Sequence, residues 1–296
     1  MSTSHARWHQ LLFFLAPAVI IYSAFMALPL LNSLRLSFFH QTIQGALSFA
    51  GLENFSGLFD GSGFWQVLLQ NVEFFAIFML VGIPVALLLA ALLSAQHLKG
   101  RAIYRTILFA PATLSIVIVG WIWTLMLNPL WGIVNDVLKG VGLFSIIPKE
   151  GWLGSESLAL IIVALVGVWQ YVGLPMILFI AALAGIDDEL VDAGRVDGTS
   201  ALGLFWRIKF PLILPTVGVV TILTFVNNFS AFEIVSVMTN GSPNGHTVLL
   251  SNMFYWSMFA DSNPDAGPTV GSAIFLIILT VVCLYLFGFQ RRLIRD

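Results

Sequence analysis

The stretch SLALIIVALVGVWQYVGLPMILFIAALAGI, residues 157–186, contains no Lys, Arg, Asp or Glu. A transmembrane helix needs about 20 predominantly apolar residues, so this stretch is long enough to cross a bilayer. Of the 296 residues, 58% are hydrophobic and 9% are charged, whereas soluble domains carry about 25% charged residues. A soluble chain of this size could not hide so much apolar surface from water. The sequence therefore predicts an integral membrane protein.

Further stretches without charged residues are long enough to span a membrane; they are 8–34, 74–98, 106–135, 210–232, 234–260 and 266–290. The stretch 234–260 contains the turn-forming segment 239–247, whose backbone could not be satisfied in hydrocarbon, so it is rejected as a span. We predict an all-α membrane protein with six transmembrane helices, at approximately 11–34, 70–95, 105–127, 157–183, 211–236 and 269–289.

The first apolar stretch is too long for a signal peptide and is followed by no clear small-residue cleavage site. We therefore predict that it is retained as a helix of the mature protein. The sequence shows no internal repeat, low-complexity tract or linker. Residues 1–296 are predicted to form a single membrane domain.

The distribution of Lys and Arg predicts the orientation, because cytoplasmic loops are enriched in these residues. With the N-terminus inside, the cytoplasmic segments hold most of the 13 cations: Arg7, Lys99, Arg101, Arg105, Arg195, Arg207, Lys209, Arg291, Arg292 and Arg295. The outer segments hold only Arg35, Lys139 and Lys149. Both termini are therefore predicted to be cytoplasmic.

The loop 185–209, between the fourth and fifth predicted spans, carries helix punctuation. Acidic residues at 187–189 favour the start of a short helix, and Gly198 is typical of a helix C-terminus. Thr199 or Ser200 is placed to cap a second short helix. In the first short helix, Ile186, Leu190 and Ala193 fall on one face. Such a helix–turn–helix unit fits either a docking surface for another protein or an amphipathic surface that only covers the bundle.

This loop resembles the signature loop of binding-protein-dependent ABC importer permeases. The family pattern is Glu-Ala-Ala, three residues, Gly, nine residues, Ile, one residue and Leu-Pro. The chain keeps every spacing and supplies these residues: Asp192, Ala193, Gly194, Gly198, Ile208, Phe210 and Pro211. It departs from the pattern with Asp for Glu, Gly for the second Ala and Phe for Leu. Asp keeps the charge but shortens its reach by one methylene.

Segments outside the loop extend the resemblance toward the maltose-permease-like, carbohydrate branch. They cover most of the chain and are Phe49–Phe55, Arg105–Pro111, Trp152–Leu153, Arg195–Ser200 (with Asp197) and Thr239–Pro243. In the last of them, Ser242 replaces the second Gly of the family's Thr-x-Gly-Gly-Pro segment.

The resemblance implies a type I ABC importer transmembrane domain and a division of labour among several chains. The loop 186–209 would contain the coupling helix that docks on a separate ATPase, with Gly198 allowing the turn and Asp192 holding the helix in register. The implied partners are a second permease subunit in a heterodimer, two ATPase subunits and an extracytoplasmic substrate-binding protein in the inner membrane of a bacterium. ATP and Mg would then sit on the ATPase, and the chain itself has no Gly-x-x-x-x-Gly-Lys-Ser/Thr motif. We therefore expect a transport subunit without its own ATPase site, catalytic residues or cofactor.

The substrate path is predicted from polar and aromatic residues in the fourth and fifth spans. Sugar sites combine hydrogen-bonding side chains with aromatic surfaces. The candidates are Trp169, Gln170, Tyr171, Asn227, Asn228 and Glu233. Helix-to-helix polar contacts are the alternative role for each of them, and Glu233 lies near an outer span end where water could reach it.

Three alternatives stay open at this point. A secondary transporter driven by an ion gradient would normally place an ionisable group in mid-span, and none is found. A membrane enzyme would cluster Asp, His or Arg at one interface, but the five histidines are scattered and Cys283 is a lone cysteine with no metal-ligand pattern. An importer for glycerol phosphate or a polyol is the third, although a phosphorylated cargo would favour cations in the path. The net charge of −2 is uninformative about partners, and the sequence has no basic patch of the kind that binds nucleic acid, so we expect no nucleic-acid partner.

Overall fold

The computed structural model describes residues 8–41, 46–61, 63–94, 99–260 and 263–293, with side chains described from 13 to 288. Arg7, Arg295 and two of the five histidines, His5 and His97, lie outside the described residues, and the side chains of His9, Arg291 and Arg292 are not described. The described residues form helices joined by short turns and one two-stranded antiparallel sheet. The all-α fold class predicted from the sequence is confirmed.

The helices are α1 Trp8–Tyr22, α2 Leu28–Leu36, α3 Glu53–Gly61, α4 Phe64–Ile77, α5 Ile83–Leu93, α6 Arg101–Phe109, α7 Ile116–Met126, α8 Ile133–Gly140, α9 Ala159–Tyr171, α10 Gly173–Ala184, α11 Asp188–Val196, α12 Ala201–Leu204, α13 Phe210–Phe229, α14 Glu233–Met238, α15 Leu250–Phe259 and α16 Ala266–Leu293. The strands are β1 Phe39–Gln41 and β2 Leu47–Phe49, with Phe39 paired to Phe49. Two 3₁₀ turns lie at Ala110–Thr113 and Phe144–Ile146, and three π-helical turns lie at Ser23–Ala27, Phe78–Gly82 and Phe205–Lys209.

Four described helices are long and apolar enough to cross a membrane: Phe13–Leu36, Phe64–Leu93, Ala201–Phe229 and Ala266–Gly288. Two helix pairs pass the same test together but are bent, by 95° between Arg101–Thr113 and Ile116–Met126 and by 46° between Ala159–Tyr171 and Gly173–Ala184. If each bent pair is one span, the described residues hold six. The predicted residue limits of the six spans stay a prediction, because these helices are identified by length and composition.

Several prolines lie inside long helices without ending them, and three of these follow a π-helical turn. Pro29, Pro84 and Pro211 are each the second residue after a π-helical turn. Proline has no N–H for the helical ladder, and its ring crowds the carbonyl four residues earlier. A π turn is one way in which a helix accommodates such a disruption. For this reason α12, the π turn and α13 form one helix, whereas the sequence predicts a loop up to residue 209 and a span that starts at Pro211.

The segment rejected as a span, 234–260, is divided between α14, a turn and α15. Within the turn, the hydroxyls of Thr239 and Thr247 are 2.8 Å apart, and the Thr247 hydroxyl donates to the carbonyl of Ser242 at 2.9 Å. The turn therefore satisfies part of its polar groups internally, and 234–260 is not one continuous helix, in line with its rejection as a span.

The structure contains two compact units, one formed by 1–64 and 253–277 and the other by 65–252 and 278–296. The single membrane domain expected for residues 1–296 stays a prediction. In the second unit, one core gathers Phe74, Val163 and Val235, and another gathers Ala86, Met176 and Phe179. Small residues such as Ala86 let the helix backbones approach closely, which is how membrane helices associate.

In the first unit, the hairpin β1–β2 is tied to α3 and to the start of α16. The Asn54 side chain donates to the carbonyls of Ser37 and Phe39 at 3.1 and 3.0 Å. The His40 ring lies 3.0 Å from an Asp265 carboxylate oxygen and 3.2 Å from a Glu53 carboxylate oxygen. These contacts join segments that are far apart in sequence.

Candidate functional site: a helical loop and two polar cavities

The first candidate site is the segment 185–209, which contains α11, a reversal of the chain and the start of the long helix from Ala201. At the end of α11, Gly198 has a φ of +74°, which glycine adopts without a Cβ clash. The N–H of Thr199 donates to the carbonyl of Gly194 at 3.1 Å, and that of Gly198 to the carbonyl of Arg195 at 3.0 Å. These two bonds form a Schellman motif, which satisfies the last helical carbonyls and turns the chain. Gly198 thus lies at the left-handed position that the sequence predicts.

The next helix begins directly after this turn. Of the two candidate caps, Ser200 is the one used, since its hydroxyl accepts a hydrogen bond from the N–H of Gly203 at 3.2 Å. A serine cap of this type stabilises a helix start by about 1 kcal/mol. Only two residues separate Gly198 from the first residue of α12, so α11 and the long helix are held in a fixed relation.

Gly194 allows α11 to pack closely against the long helix. A Cβ at this position would lie 2.5 Å from the Ile208 Cδ1 atom and 2.8 Å from the Leu204 Cδ1 atom, both closer than van der Waals contact allows. Gly194 and Val191 are the buried residues of α11. Gly194 thus allows the terminal methyl groups of Ile208 and Leu204 to pack against α11 where the family's second Ala would place a Cβ.

The apolar face predicted for α11 differs from the buried face that the structure shows. Ile186 precedes the helix, and Leu190 and Ala193 are exposed, so the expected face does not cover the bundle. The exposed side also carries Val196, which is 87% exposed. Burial instead follows Val191 and Gly194, three residues apart, because the long helix contacts that side.

The charged residues of α11 are exposed and paired locally. The Arg195 guanidinium donates to the Asp192 carboxylate at 2.8 Å, one turn along the helix. Asp197 follows as the C-terminal flanking residue of α11, and Pro211 lies at the start of α13. The shorter Asp192 side chain therefore finds a cation on its own helix.

The second candidate site is a pair of adjoining cavities, of about 300 and 380 Å³, that share Tyr171 and Glu233 in their linings. We call them the amide cavity and the side cavity. The amide cavity is also lined by Asn227 and Asn228, and the side cavity by Gln170. Five of the six predicted path residues are thus brought together.

Trp169 is the exception, since it lines neither cavity and its ring packs edge-on against Trp123 with centroids 5.6 Å apart. Successive residues of a helix point about 100° apart, so a helix that turns Gln170 inward directs Trp169 elsewhere.

Two of the amides that line these cavities leave a buried acceptor oxygen free. The Gln170 side chain donates to the Leu114 carbonyl at 3.0 Å, and the Asn228 side chain to the Thr224 carbonyl at 2.8 Å. In both residues the amide oxygen is buried and has no protein partner. An unsatisfied buried acceptor costs about 1–3 kcal/mol, so a donor such as a hydroxyl would be favoured there.

The sequence reading missed an amide network that fixes the ends of α13 and α15. The Asn71 side chain donates to the Asn228 carbonyl at 3.2 Å and accepts from the Leu250 N–H at 2.9 Å. The Asn252 side chain donates to the Ser236 hydroxyl at 2.8 Å. Asn71 and Asn252 are fully buried. Amides isolated in apolar stretches were the available signal, because buried polar groups require partners.

Apolar helices of membrane-spanning length around cavities that contain amides and a carboxylate are typical of a multi-pass membrane transport protein. The sequence matches the family model "Binding-protein-dependent transport system inner membrane component" over residues 82–296, and the chain belongs to this family. It is a permease subunit of an ABC importer and a multi-pass protein of the inner membrane. The predicted resemblance and transport role are confirmed.

Relatives and solved structures agree with this assignment over nearly the whole chain. The lactose transport system permease protein LacF of Rhizobium radiobacter is 32% identical over 94% of this chain and 93% of its own. The sn-glycerol-3-phosphate transport system permease protein UgpA of Agrobacterium fabrum is 28% identical over 94% and 92%. A chain of a bacterial ABC transporter for import of the acidic polysaccharide alginate aligns with a TM-score of 0.82, at 24% identity over 96% of both chains. The same kind of transporter, in complex with an alginate-pentasaccharide-bound periplasmic protein, aligns with a TM-score of 0.78 at 24% identity, over 97% of this chain and 95% of that one. These structures establish the fold, that of a type I ABC importer transmembrane domain.

Proposed function

We propose that this permease subunit forms, with a second permease, the path for a neutral sugar, and that the segment 185–209 couples the path to a separate ATPase. Two ATPase subunits would carry ATP and Mg, and an extracytoplasmic binding protein would deliver the cargo. The chain itself would contribute no catalytic residue. The observation that carries this proposal is the rigid unit formed by α11, Gly198 and the long helix.

The coupling role rests on how α11 is held. Its buried side, through Gly194, is fixed to a helix that runs from Ala201 to Phe229 and ends beside Asn228. Its other side presents Leu190, Ala193 and Val196 to the outside. A movement of α11 imposed by a partner would therefore reach residues that line the amide cavity through one continuous helix. Exposed apolar residues beside charges fit a protein partner.

The neutral cargo rests on the linings of the two cavities. They combine amides, the aromatic Tyr171 and one carboxylate, Glu233, and no Lys or Arg is among their lining residues. Hydroxyl groups can donate to the free amide oxygens, and a sugar ring can stack on an aromatic face. A phosphorylated cargo, such as the one in the name of UgpA, would meet a carboxylate instead of a cation.

The proposed orientation places both termini and α11 in the cytoplasm. It rests on the Lys and Arg distribution, part of which lies at Arg7, Arg291, Arg292 and Arg295, where the structure describes no side chain. The described cations Lys99, Arg101, Arg105 and Lys209 lie near the ends of helices α5, α6 and α12.

Transport driven by an ion gradient is the alternative that an experiment has to separate. Among the described residues, none of the buried polar side chains is charged, which disfavours a proton relay within the spans. A membrane enzyme is disfavoured by the absence, in the described ranges, of a His, Cys, Asp and Glu group able to hold a metal.

The test is uptake of labelled sugars into vesicles that hold the whole importer, with ATP inside or outside and ionophores to collapse ion gradients. Wild-type uptake should require ATP and survive the ionophores. Gly198→Asp should insert normally and abolish uptake, because it adds a negative charge and a Cβ at a left-handed helix C-terminus. Gly198→Asn has nearly the same shape without the charge and tolerates this conformation, so it should retain part of the activity. The coupling role would be refuted if the Gly198→Asp variant took up sugar at the wild-type rate. It would also be refuted if an ion gradient alone drove uptake.

A further inference from the structure

A third cavity, which we call the basic cavity, lies behind α11 and has no part in the proposed path. Its volume is about 1070 Å³, larger than either cavity described above. Helices α5, α6 and α10 form one part of its wall, and α11, α12 and the π turn before α13 form the rest. It therefore faces the buried side of α11, opposite the exposed residues assigned to the ATPase.

The wall of the basic cavity has two chemically different parts. The apolar part lies mainly on α5 and α10 and includes Leu87, Leu88, Ala91, Leu92, Ile180 and Leu183. The polar part contains four cations, Arg101, Arg105, Arg195 and Lys209, against one carboxylate, Asp188. Trp206 also lines the cavity and is half exposed. A charged end, an apolar wall and an amphipathic aromatic ring are what the boundary between headgroups and acyl chains requires.

Most of the positive charge is not neutralised by the protein. Arg195 is paired with Asp192 on its own helix. Arg101 and Lys209 have no carboxylate oxygen within 4.0 Å among the residues that the structure describes. Arg105 donates from Nη2 to the Leu93 carbonyl at 3.2 Å, while its Nε is buried without a partner. Arg101 and Arg105 are four residues apart on α6, so they lie on one face of the helix.

We propose that the basic cavity binds an anionic phospholipid of the cytoplasmic leaflet. Its phosphate would lie among Arg101, Arg105 and Lys209, and an acyl chain would lie against Leu88 and Leu92 of α5. Basic recesses between membrane helices on the cytoplasmic side favour anionic headgroups, and arginine forks match phosphate oxygens. The occupant would touch α11 at Val191, so it would brace the segment 185–209 from behind. This proposal rests on the orientation given under the proposed function.

Trp206 provides a direct readout, because bromine atoms on lipid acyl chains quench nearby tryptophan fluorescence. The full chain, purified with the partner chains that accompany it, is placed in phosphatidylcholine micelles, and brominated phosphatidylglycerol or brominated phosphatidylethanolamine is titrated in. The Trp206 contribution is the difference between wild type and Trp206→Phe. We expect phosphatidylglycerol to quench this contribution at a several-fold lower mole fraction than phosphatidylethanolamine does.

Arg101→Gln should weaken that several-fold preference, and Arg101→Gln combined with Lys209→Gln should nearly abolish it, because one cation near an anionic headgroup is worth up to about fivefold. Lys99→Gln is the matched control, since it removes an exposed cation two residues from Arg101 that does not line the cavity. Unchanged tryptophan emission and elution volume check the folding of each variant, and 1 M salt applied to the wild type gives the same test without substitution.

Equal quenching by the two lipids in the wild type, or an equal loss of preference in Lys99→Gln, would overturn the proposal. Reversal of the quenching by soluble glycerol 3-phosphate would also overturn it, in favour of a site for soluble anions. The measurement involves neither cargo nor ATP, so its failure leaves the Gly198→Asp result intact, and a failure of coupling leaves the lipid preference measurable.

Discussion

The segment 185–209 and the paired amide and side cavities are built in opposite ways. In the segment, the hydrogen bonds that set the geometry join neighbours, as from Thr199 to Gly194 and from Gly203 to Ser200. In the cavities, they join distant parts of the chain, as from Gln170 to Leu114 and from Asn71 to Asn228. Local geometry can be read from spacing and turn chemistry, whereas the cavities exist only once several helices have packed. The two regions should therefore fail differently when mutated.

Among substitutions that leave Gly198 in place, the largest effect is expected at Gly194, the tight contact between α11 and the long helix. Gly194→Val should reduce ATP-driven uptake about tenfold or more, since overpacking costs about 1–3 kcal/mol and the added Cβ would overlap Ile208 and Leu204. Gly194→Val combined with Ile208→Ala should recover part of the loss, because the second change removes the Cδ1 atom nearest to the new side chain. Gly140→Ala, at a helical glycine with open space around it, is the control. Absence of any rescue would mean that Gly194 matters for a reason other than this contact.

A smaller effect, and one on selectivity, is expected in the cavities. Gln170→Ala and Asn228→Ala should each change the relative uptake of competing sugars by about threefold to tenfold, the value of one or two hydrogen bonds. The readout is the ratio of initial uptake rates for two sugars, normalised to the protein in the membrane. Trp169→Phe should leave that ratio unchanged, since Trp169 lines neither cavity. Equal losses for every sugar would assign the amides to helix packing and not to cargo.

The contrast between the segment 185–209 and the cavities matches what could be predicted from the sequence. The left-handed Gly198, the serine cap and the Asp192–Arg195 pair follow from residue type and spacing within a few positions. The buried side of α11 could not be predicted from local spacing, because the helix that covers it begins after the next turn of the chain. The continuity of the helix from Ala201 through Pro211 was also missed, because a proline at this place is compatible with the first turn of a helix. The bends at 113–116 and near 172 lie beside Pro111 and beside Gly173 and Pro175, but their angles depend on packing, such as the close approach of Gly173 to the Leu108 carbonyl.

A non-local polar cluster at His40 allows a test through pH. Hydrogen bonds to the Asp265 carboxylate, and then to that of Glu53, raise the pKa of His40 above its ordinary value of 6.5. A raised folded-state pKa means that the added stability is fully present below about pH 6.5 and is lost as pH rises through the folded value. Thermal unfolding of the full chain should therefore show a midpoint that falls over this range.

His40→Gln should flatten this pH dependence. His246→Gln, a histidine 3.6 Å from the Glu156 carboxylate, is the matched control and should leave the fall intact. A fall that persists unchanged in His40→Gln would show that the cluster does not stabilise the fold. The effect should be modest, because the His40 side chain is 41% exposed.

The smallest effect is expected for the exposed ion pair of α11. Asp192→Ala should change the free energy of unfolding by less than about 1 kcal/mol, the usual limit for exposed pairs. Asp192→Glu, which restores the acidic residue of the family pattern, should leave uptake close to that of the wild type. A large loss of uptake by Asp192→Ala with unchanged stability would assign the carboxylate to the ATPase contact and not to its own helix.

The most direct test of the coupling role is co-purification of a tagged chain from its native host in mild detergent. We predict that a second permease chain and a soluble ATPase accompany the wild type, and that Gly198→Asp loses the ATPase while keeping the second permease. A chain that elutes alone and transports alone, or a Gly198→Asp variant that keeps its ATPase in full, would contradict the assignment of 185–209 as the coupling segment.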